Sequence, residues 1–146
     1  MIVSQYMKHE HRECDNKFAE AEGLVAEAKW AEANDAYLAF ANETLSHFKK
    51  EEDVLFPEFE KQTGSAQGPT QVMVFEHEQV RGLIGKLAGA LEDEDRDAYL
   101  SLAESMMILL QQHNMKEEQM LYAMCDRVIP NDIREELLDS MKQVSV

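Results

Sequence analysis

The sequence predicts an all-α protein, an up-down-up-down four-helix bundle with a short extra C-terminal helix, and three observations carry that reading. Apolar residues recur at helical spacing in four long stretches, with no alternating strand pattern or low-complexity tract to compete. Gly64, Gly68 and Pro69 punctuate the chain near its middle. The third observation is a repeat: His47-Phe48-Lys49-Lys50-Glu51-Glu52-Asp53-Val54-Leu55-Phe56 returns as His113-Asn114-Met115-Lys116-Glu117-Glu118-Gln119-Met120-Leu121-Tyr122, an offset of 66 residues. The same offset superposes Met7, Glu10 and His11 on Met73, Glu76 and His77. The 146 residues are therefore expected to form one domain of two helical-hairpin halves, about 1–62 and 70–127, followed by a helix over about 131–143.

The first helix is expected from Ser4 to about Ala28, with Met7, His11, Cys14, Phe18 and Ala21 on its apolar stripe and His9 on another face beside Glu13. The turn that ends it falls near Gly23 and Lys29-Trp30. The second helix runs from roughly Trp30 to Lys61 and turns Tyr37, Phe40, Thr44, His47, Glu51, Val54 and Leu55 inward; Pro57 falls inside it and is expected to bend or shorten it. After the Gly64–Pro69 linker, the third helix spans about Thr70 to Leu91. Thr70 is its candidate N-cap, and Met73, His77, Val80, Ile84 and Leu87 form its stripe. The run Glu92-Asp93-Glu94-Asp95 closes it. Helix four, about Asp97 to Arg127, directs Leu102, Met106, Leu109, His113, Met120 and Met124 inward, and Asn131 after Pro130 is expected to cap the last helix.

A formal net charge of −15 and a pI near 4.6 argue against nucleic-acid and anionic-membrane partners, which select basic patches. No apolar run has the length of a membrane span, and Met1-Ile2-Val3-Ser4-Gln5 lacks the pattern of a secretory signal. Two cysteines, Cys14 and Cys125, are too few for a disulfide scaffold, so the expectation is a reducing, cytoplasmic compartment.

His11 and His47 stand 36 residues apart, as do His77 and His113. In an antiparallel hairpin, about 17 residues down and 17 back at 1.5 Å each return the second histidine to the level of the first. Packing two such hairpins together brings four histidines to one depth. Glu51 and Glu117, four residues after their histidines, share their helical face, whereas Glu52 and Glu118, at five, are expected to point away into solvent. The result is four imidazoles and two carboxylates in an interior lined by Met7, Met73, Met106 and Phe40. Buried carboxylates cost several kcal/mol unless neutralised, and divalent ions of the iron, manganese or zinc group supply that charge. Four satisfied core histidines are the bland alternative, and a repeated His with its Glu one turn on is hard to derive from packing. Cys14 reads as a small core residue, and His9 as exposed. Glu10 and Glu76, just before two of the histidines, fit either a solvated face or a role behind or on the metal. Ferritin-like sites place a Glu three residues before a His, where this chain has Lys8, Thr44, Val74 and Leu110.

The order His11, then His47-x-x-x-Glu51 with Leu55-Phe56-Pro57, then Glu76-His77, then His113-x-x-x-Glu117-Glu118 with Leu121-Tyr122, resembles the hemerythrin-like HHE cation-binding family over about residues 7 to 125. The resemblance implies a non-haem di-iron centre, oxo- or hydroxo-bridged, with His11, His47, Glu51, His77, His113 and Glu117 as ligands and with O2 or NO as the small molecule bound. Zinc and manganese are the alternative metals. Met73 stands where oxygen-carrying hemerythrin has a further histidine, and His113-x-x-x-Glu117 replaces its His-x-x-x-x-Asp. The expected role is therefore sensing, storage or delivery of O2, NO or iron. The alternatives are an enzyme acting on nitric oxide or peroxide, iron-sulfur cluster repair, or a structural bundle with a single zinc.

Overall fold

A computed structural model describes residues 1–65 and 68–146. The middle of the expected linker, residues 66 and 67, lies outside them. Four long helices pack side by side: α1 (Val3–Ala26), α2 (Trp30–Lys50), α4 (Pro69–Glu92) and α5 (Arg96–Lys116). A π turn over Glu51–Leu55 joins α2 to α3 (Phe56–Thr63), and a second over Glu117–Leu121 joins α5 to α6 (Tyr122–Val128). The last helix, α7 (Asn131–Lys142), closes the bundle, and there is no strand among the described residues. No helix among the described residues is long and apolar enough to cross a membrane.

Each long helix adjoins two others, α1 against α2 and α5, and α4 against α2 and α5. Between them lie two apolar clusters. One contains Phe18, Tyr37, Phe40, Phe48, Val80, Ile84, Leu87, Tyr99 and Met106. The other gathers Met7, Leu55, Phe56, Phe59, Met73, Leu121 and Tyr122 with Leu137, Leu138 and Met141 of α7. Along every long helix the site histidine falls where one cluster gives way to the other, as with Met7, His11 and Phe18 on α1 or Met73, His77 and Val80 on α4. The imidazoles thus form a polar layer sealed at both ends by hydrocarbon.

The helices expected as continuous from Trp30 to Lys61 and from Asp97 to Arg127 are each interrupted by a π turn. In each, a backbone N–H reaches five residues back, from Phe56 to the Glu51 carbonyl and from Tyr122 to that of Glu117. The extra residue advances the inward face by about one position beyond the break. Leu55, Phe56 and Phe59 are buried in the first half, and Leu121, Tyr122 and Cys125 in the second. Met120, expected inside, is instead 62% exposed, and Val54 and Met124 are only partly buried. Pro57 lies in the first turn of α3, where its missing N–H is tolerated. It does not cause the π turn, because the second one forms with Ala123 at the equivalent position.

Smaller corrections concern caps and faces. The first turn of α4 includes Pro69, with Gly68 before it at φ 107°, so Thr70 lies inside the helix and donates its hydroxyl to Glu60 at 2.8 Å. Asn131 opens α7 rather than capping it, and Pro130 takes the cap position. The first turn of the chain comes after Ala26, with Ala28 at φ 55°. On α5 the buried face is Tyr99, Ala103, Met106, Leu110 and His113, and Leu102 and Leu109 sit at its margin. Gly64 ends α3 in the left-handed conformation, φ 75°, as a helix C-terminus commonly requires.

Candidate metal centre

The six residues expected to converge do so. His11, His47, His77 and His113 are at most 4% exposed, and Glu51 and Glu117 are fully buried. The rings pair by half: His11 and His47 have centroids 4.8 Å apart, and His77 and His113 5.0 Å. The carboxylates cross between the pairs. Glu51 Oε1 lies 3.4 Å from His47 Nε2 and 3.1 Å from His77 Nε2, while Glu117 Oε1 lies 3.1 Å from His11 Nε2 and 3.2 Å from His113 Nε2.

The outward ring nitrogens are all occupied by carboxylates. His11 Nδ1 meets Glu118 at 2.7 Å, His47 Nδ1 meets Glu10 at 2.9 Å, His77 Nδ1 meets Glu52 at 2.7 Å and His113 Nδ1 meets Glu76 at 2.8 Å. An Nδ1–H donated outward leaves the Nε2 lone pair aimed inward, the tautomer that a metal-binding imidazole needs. This settles the open reading of Glu10 and Glu76, which stand behind the histidines of the partner helix in their own half. It also corrects the expectation for Glu52 and Glu118. At five residues past the histidine they point sideways to the neighbouring helix, and each serves a histidine of the opposite half. Lys50 and Lys116, also 66 apart, clamp Glu10 and Glu76, and Arg81 grips Glu52 with contacts of 2.8 and 3.0 Å. The signal for this outer ring was in the repeat itself, which preserves both Glu and the Lys.

Charge in the centre is out of balance for the side chains alone. Burial, then the charge of Glu117, pushes Glu51 well above the usual carboxylate range. Burial opposes the charge on His11, but hydrogen bonds with Glu117 and Glu118 outweigh it and raise the imidazole to about 9. Among the buried polar atoms left without a hydrogen bond are Glu51 Oε1, His77 Nε2, His113 Nε2 and Glu117 Oε2. Two of these, His77 Nε2 and Glu51 Oε1, lie 3.1 Å apart and still make no hydrogen bond. Such orphans are costly in a dry core. A cation satisfies all of them at once, so the donor set fits a metal. The donor atoms of Glu51, His77, His113 and Glu117 all lie within 4.8 Å of one another, and so do those of His11, His47 and Glu117.

The residues outside the centre behave as their sequence positions suggest. His9 is exposed, 3.8 Å from Glu13 on its own helix. Cys14 and Cys125 are buried free thiols, each pushed up to about 12, chiefly by burial. One residue of the centre was missed. Tyr122, fully buried, donates its hydroxyl to Glu51 Oε2 at 2.8 Å and Glu117 Oε1 at 2.9 Å. An α-helical count puts it roughly 140° from Glu117, whereas a π turn brings residue i+5 back over residue i.

Four long helices packed side by side, a sealed layer of histidines and two shared carboxylates define a class: a four-helix bundle with a histidine- and carboxylate-rich cation site in its core. The family model described as the Hemerythrin HHE cation binding domain matches residues 3–125. The chain belongs to that family. No curated protein and no solved structure matches it.

Proposed function

We propose that the protein holds two iron ions as a carboxylate-bridged non-haem centre and uses it to bind O2 or NO, for sensing, storage or delivery. In this reading His11 and His47 hold one ion, His77 and His113 the other, and Glu51 and Glu117 are shared. The observation that carries it is that His77 Nε2, His113 Nε2, Glu51 Oε1 and Glu117 Oε2 point inward without hydrogen bonds while all four imidazoles are locked by outer carboxylates on Nδ1. Four neutral nitrogens and two anionic oxygens suit divalent ions of the iron group, and the crossing of each carboxylate to both histidine pairs favours two ions over one. Iron bound there would supply a redox-active, ligand-exchanging position for a diatomic molecule. The chain's own part is to orient the imidazoles through their Nδ1 hydrogen bonds and to exclude water with the two apolar clusters. Buried free thiols suit a reducing cytoplasm.

Metal content per chain, with the near-ultraviolet spectrum of protein purified in air, tests this. The expected result is close to two irons and an oxo-to-iron absorption band, with iron lowered similarly in H47A and H113A and unchanged in H9A. One zinc and no iron would reduce the site to a structural role. Catalysed consumption of nitric oxide or peroxide by the reduced protein would make it an enzyme instead.

A further inference from the structure

The repeat is broken at one place inside the centre. Phe56 and Tyr122 are equivalent positions, each at the first residue after a π turn and each held by its N–H to the carbonyl of the shared glutamate. The Phe56 ring lies parallel to that of His77, with centroids 6.0 Å apart, and has no polar atom to offer. The Tyr122 hydroxyl oxygen has four neighbours from the donor set: Glu51 Oε2 at 2.8 Å, Glu117 Oε1 at 2.9 Å, His11 Nε2 at 3.1 Å and His47 Nε2 at 3.3 Å.

Those four distances have a simple geometric meaning. Adjacent donor atoms around a metal with bonds of about 2.1 Å are separated by about 3.0 Å at right angles and about 3.4 Å at tetrahedral angles. The phenol oxygen stands from the other donors at the spacing donors have from each other. A hydroxyl serving only as a hydrogen-bond donor needs one or two acceptors. It has no reason to lie equally near two imidazole nitrogens whose lone pairs already aim into the centre.

We propose that Tyr122 is itself a metal ligand, through its phenol oxygen, at the His11/His47 position, and that Phe56 leaves the His77/His113 position without an equivalent donor. On binding, the phenol O–H bond breaks, an oxygen–metal bond forms and the proton leaves to solvent, with no change of oxidation state. The two metal positions of a nearly symmetric site thereby become unequal. The first is filled by two imidazoles, two carboxylates and a phenolate, and the second keeps a position for an exogenous molecule. The imidazole nitrogens without hydrogen bonds among the described residues, His77 Nε2 and His113 Nε2, both belong to that second position.

This inference rests on the di-iron reading, and a single preparation separates the two. Iron per chain is measured first on the full-length, iron-loaded, air-oxidised protein, followed by resonance Raman excitation across the visible band. Bound iron with tyrosinate ring vibrations, lost in Y122F and retained in Y6F, is the expected result. Bound iron without those vibrations, or their persistence in Y122F, overturns the ligand assignment and leaves the metal centre standing. A chain that takes up no iron overturns both. Should Y122F fail to fold, F56Y provides the second test: a phenol added at the equivalent place is expected to raise the tyrosinate absorption per iron about twofold, and an unchanged intensity counts against the geometry.

Discussion

A neutral imidazole has one lone pair to give, and the hydrogen bond on its other nitrogen decides which nitrogen gives it. In this protein Glu10, Glu52, Glu76 and Glu118 make that choice four times in the same sense. Such partners behind metal-bound histidines are typically worth about 10–100-fold in metal affinity. Replacing Glu52 or Glu118 by alanine should therefore weaken metal retention by that factor, read by competition with a coloured chelator, with Glu13→Ala as a surface control. Retention equal to that of the control would return both residues to the solvated face. Glu52 and Glu118 are also where residue-level counting misled. Five residues along an α-helix is the wrong face for the helix's own metal, and only the position of the next helix makes it the right face for a neighbour's histidine.

At the scale of elements, the π turns do the placing. Each adds one residue just after a histidine-bearing helix, and each begins on a shared carboxylate. The wide turn keeps Glu51 aligned with His47 and still brings Leu55, Phe56 and Phe59 onto the core face. Inserting an alanine after Asp53, an exposed residue inside the first π turn, should add a second extra residue and swing the following segment by roughly 100°. Two buried phenylalanines would then lose their packing, and the variant should be less stable by at least about 3 kcal/mol in urea unfolding. Stability within a few tenths of the parent would mean that the π turn positions nothing.

At the scale of the molecule, a charged layer sits between two apolar clusters, and its ionisation sets how the metal-free protein responds to pH. Burial opposes the charge of Glu10 and Glu52, but hydrogen bonds from His47 and Lys50, and from His77 and Arg81, hold each carboxyl down at about 2. Glu118, through its hydrogen bond with His11, is lowered as well. Depressed carboxylates stabilise the fold above their usual value of 4.5, and that contribution is lost as pH falls through about 2. Burial opposes the charge on His113, but Glu117 and Glu76 outweigh it and raise the imidazole, so His113 acts on the alkaline side together with His11 and Glu51. His11, raised to about 9, stabilises fully below its usual 6.5 and loses that contribution as pH rises through 9. Glu51, raised by burial and by Glu117, costs stability as pH climbs above the usual carboxylate value. His47 and His77, both lowered chiefly by burial, withdraw stability as pH falls below their usual 6.5, so the Tm of chelator-treated protein should peak between about pH 5 and 7. Metal should lift the alkaline side most, because it takes the place of protons on His11 and Glu51. A chelated protein most stable at pH 9 would contradict this charge assignment.

Sequence alone determined the helical class, the 66-residue repeat and the convergence of His11, His47, Glu51, His77, His113 and Glu117. Those depend on periodicities of 3.6 and on chain length, which are local arithmetic. The layer of hydrocarbon above and below the histidines was legible for the same reason, since Met7, Phe18, Met73 and Val80 follow the stripe. The phase shift beyond Glu51 and Glu117 was not legible, because an i→i+5 turn leaves no mark in a pattern read at 3.6. Met120 was therefore placed inside and Tyr122 overlooked. The exchange of Glu52 and Glu118 between halves was equally hidden. Which helix stands beside which, and at what rotation, is fixed by packing two halves against each other, and only the tertiary structure decides that.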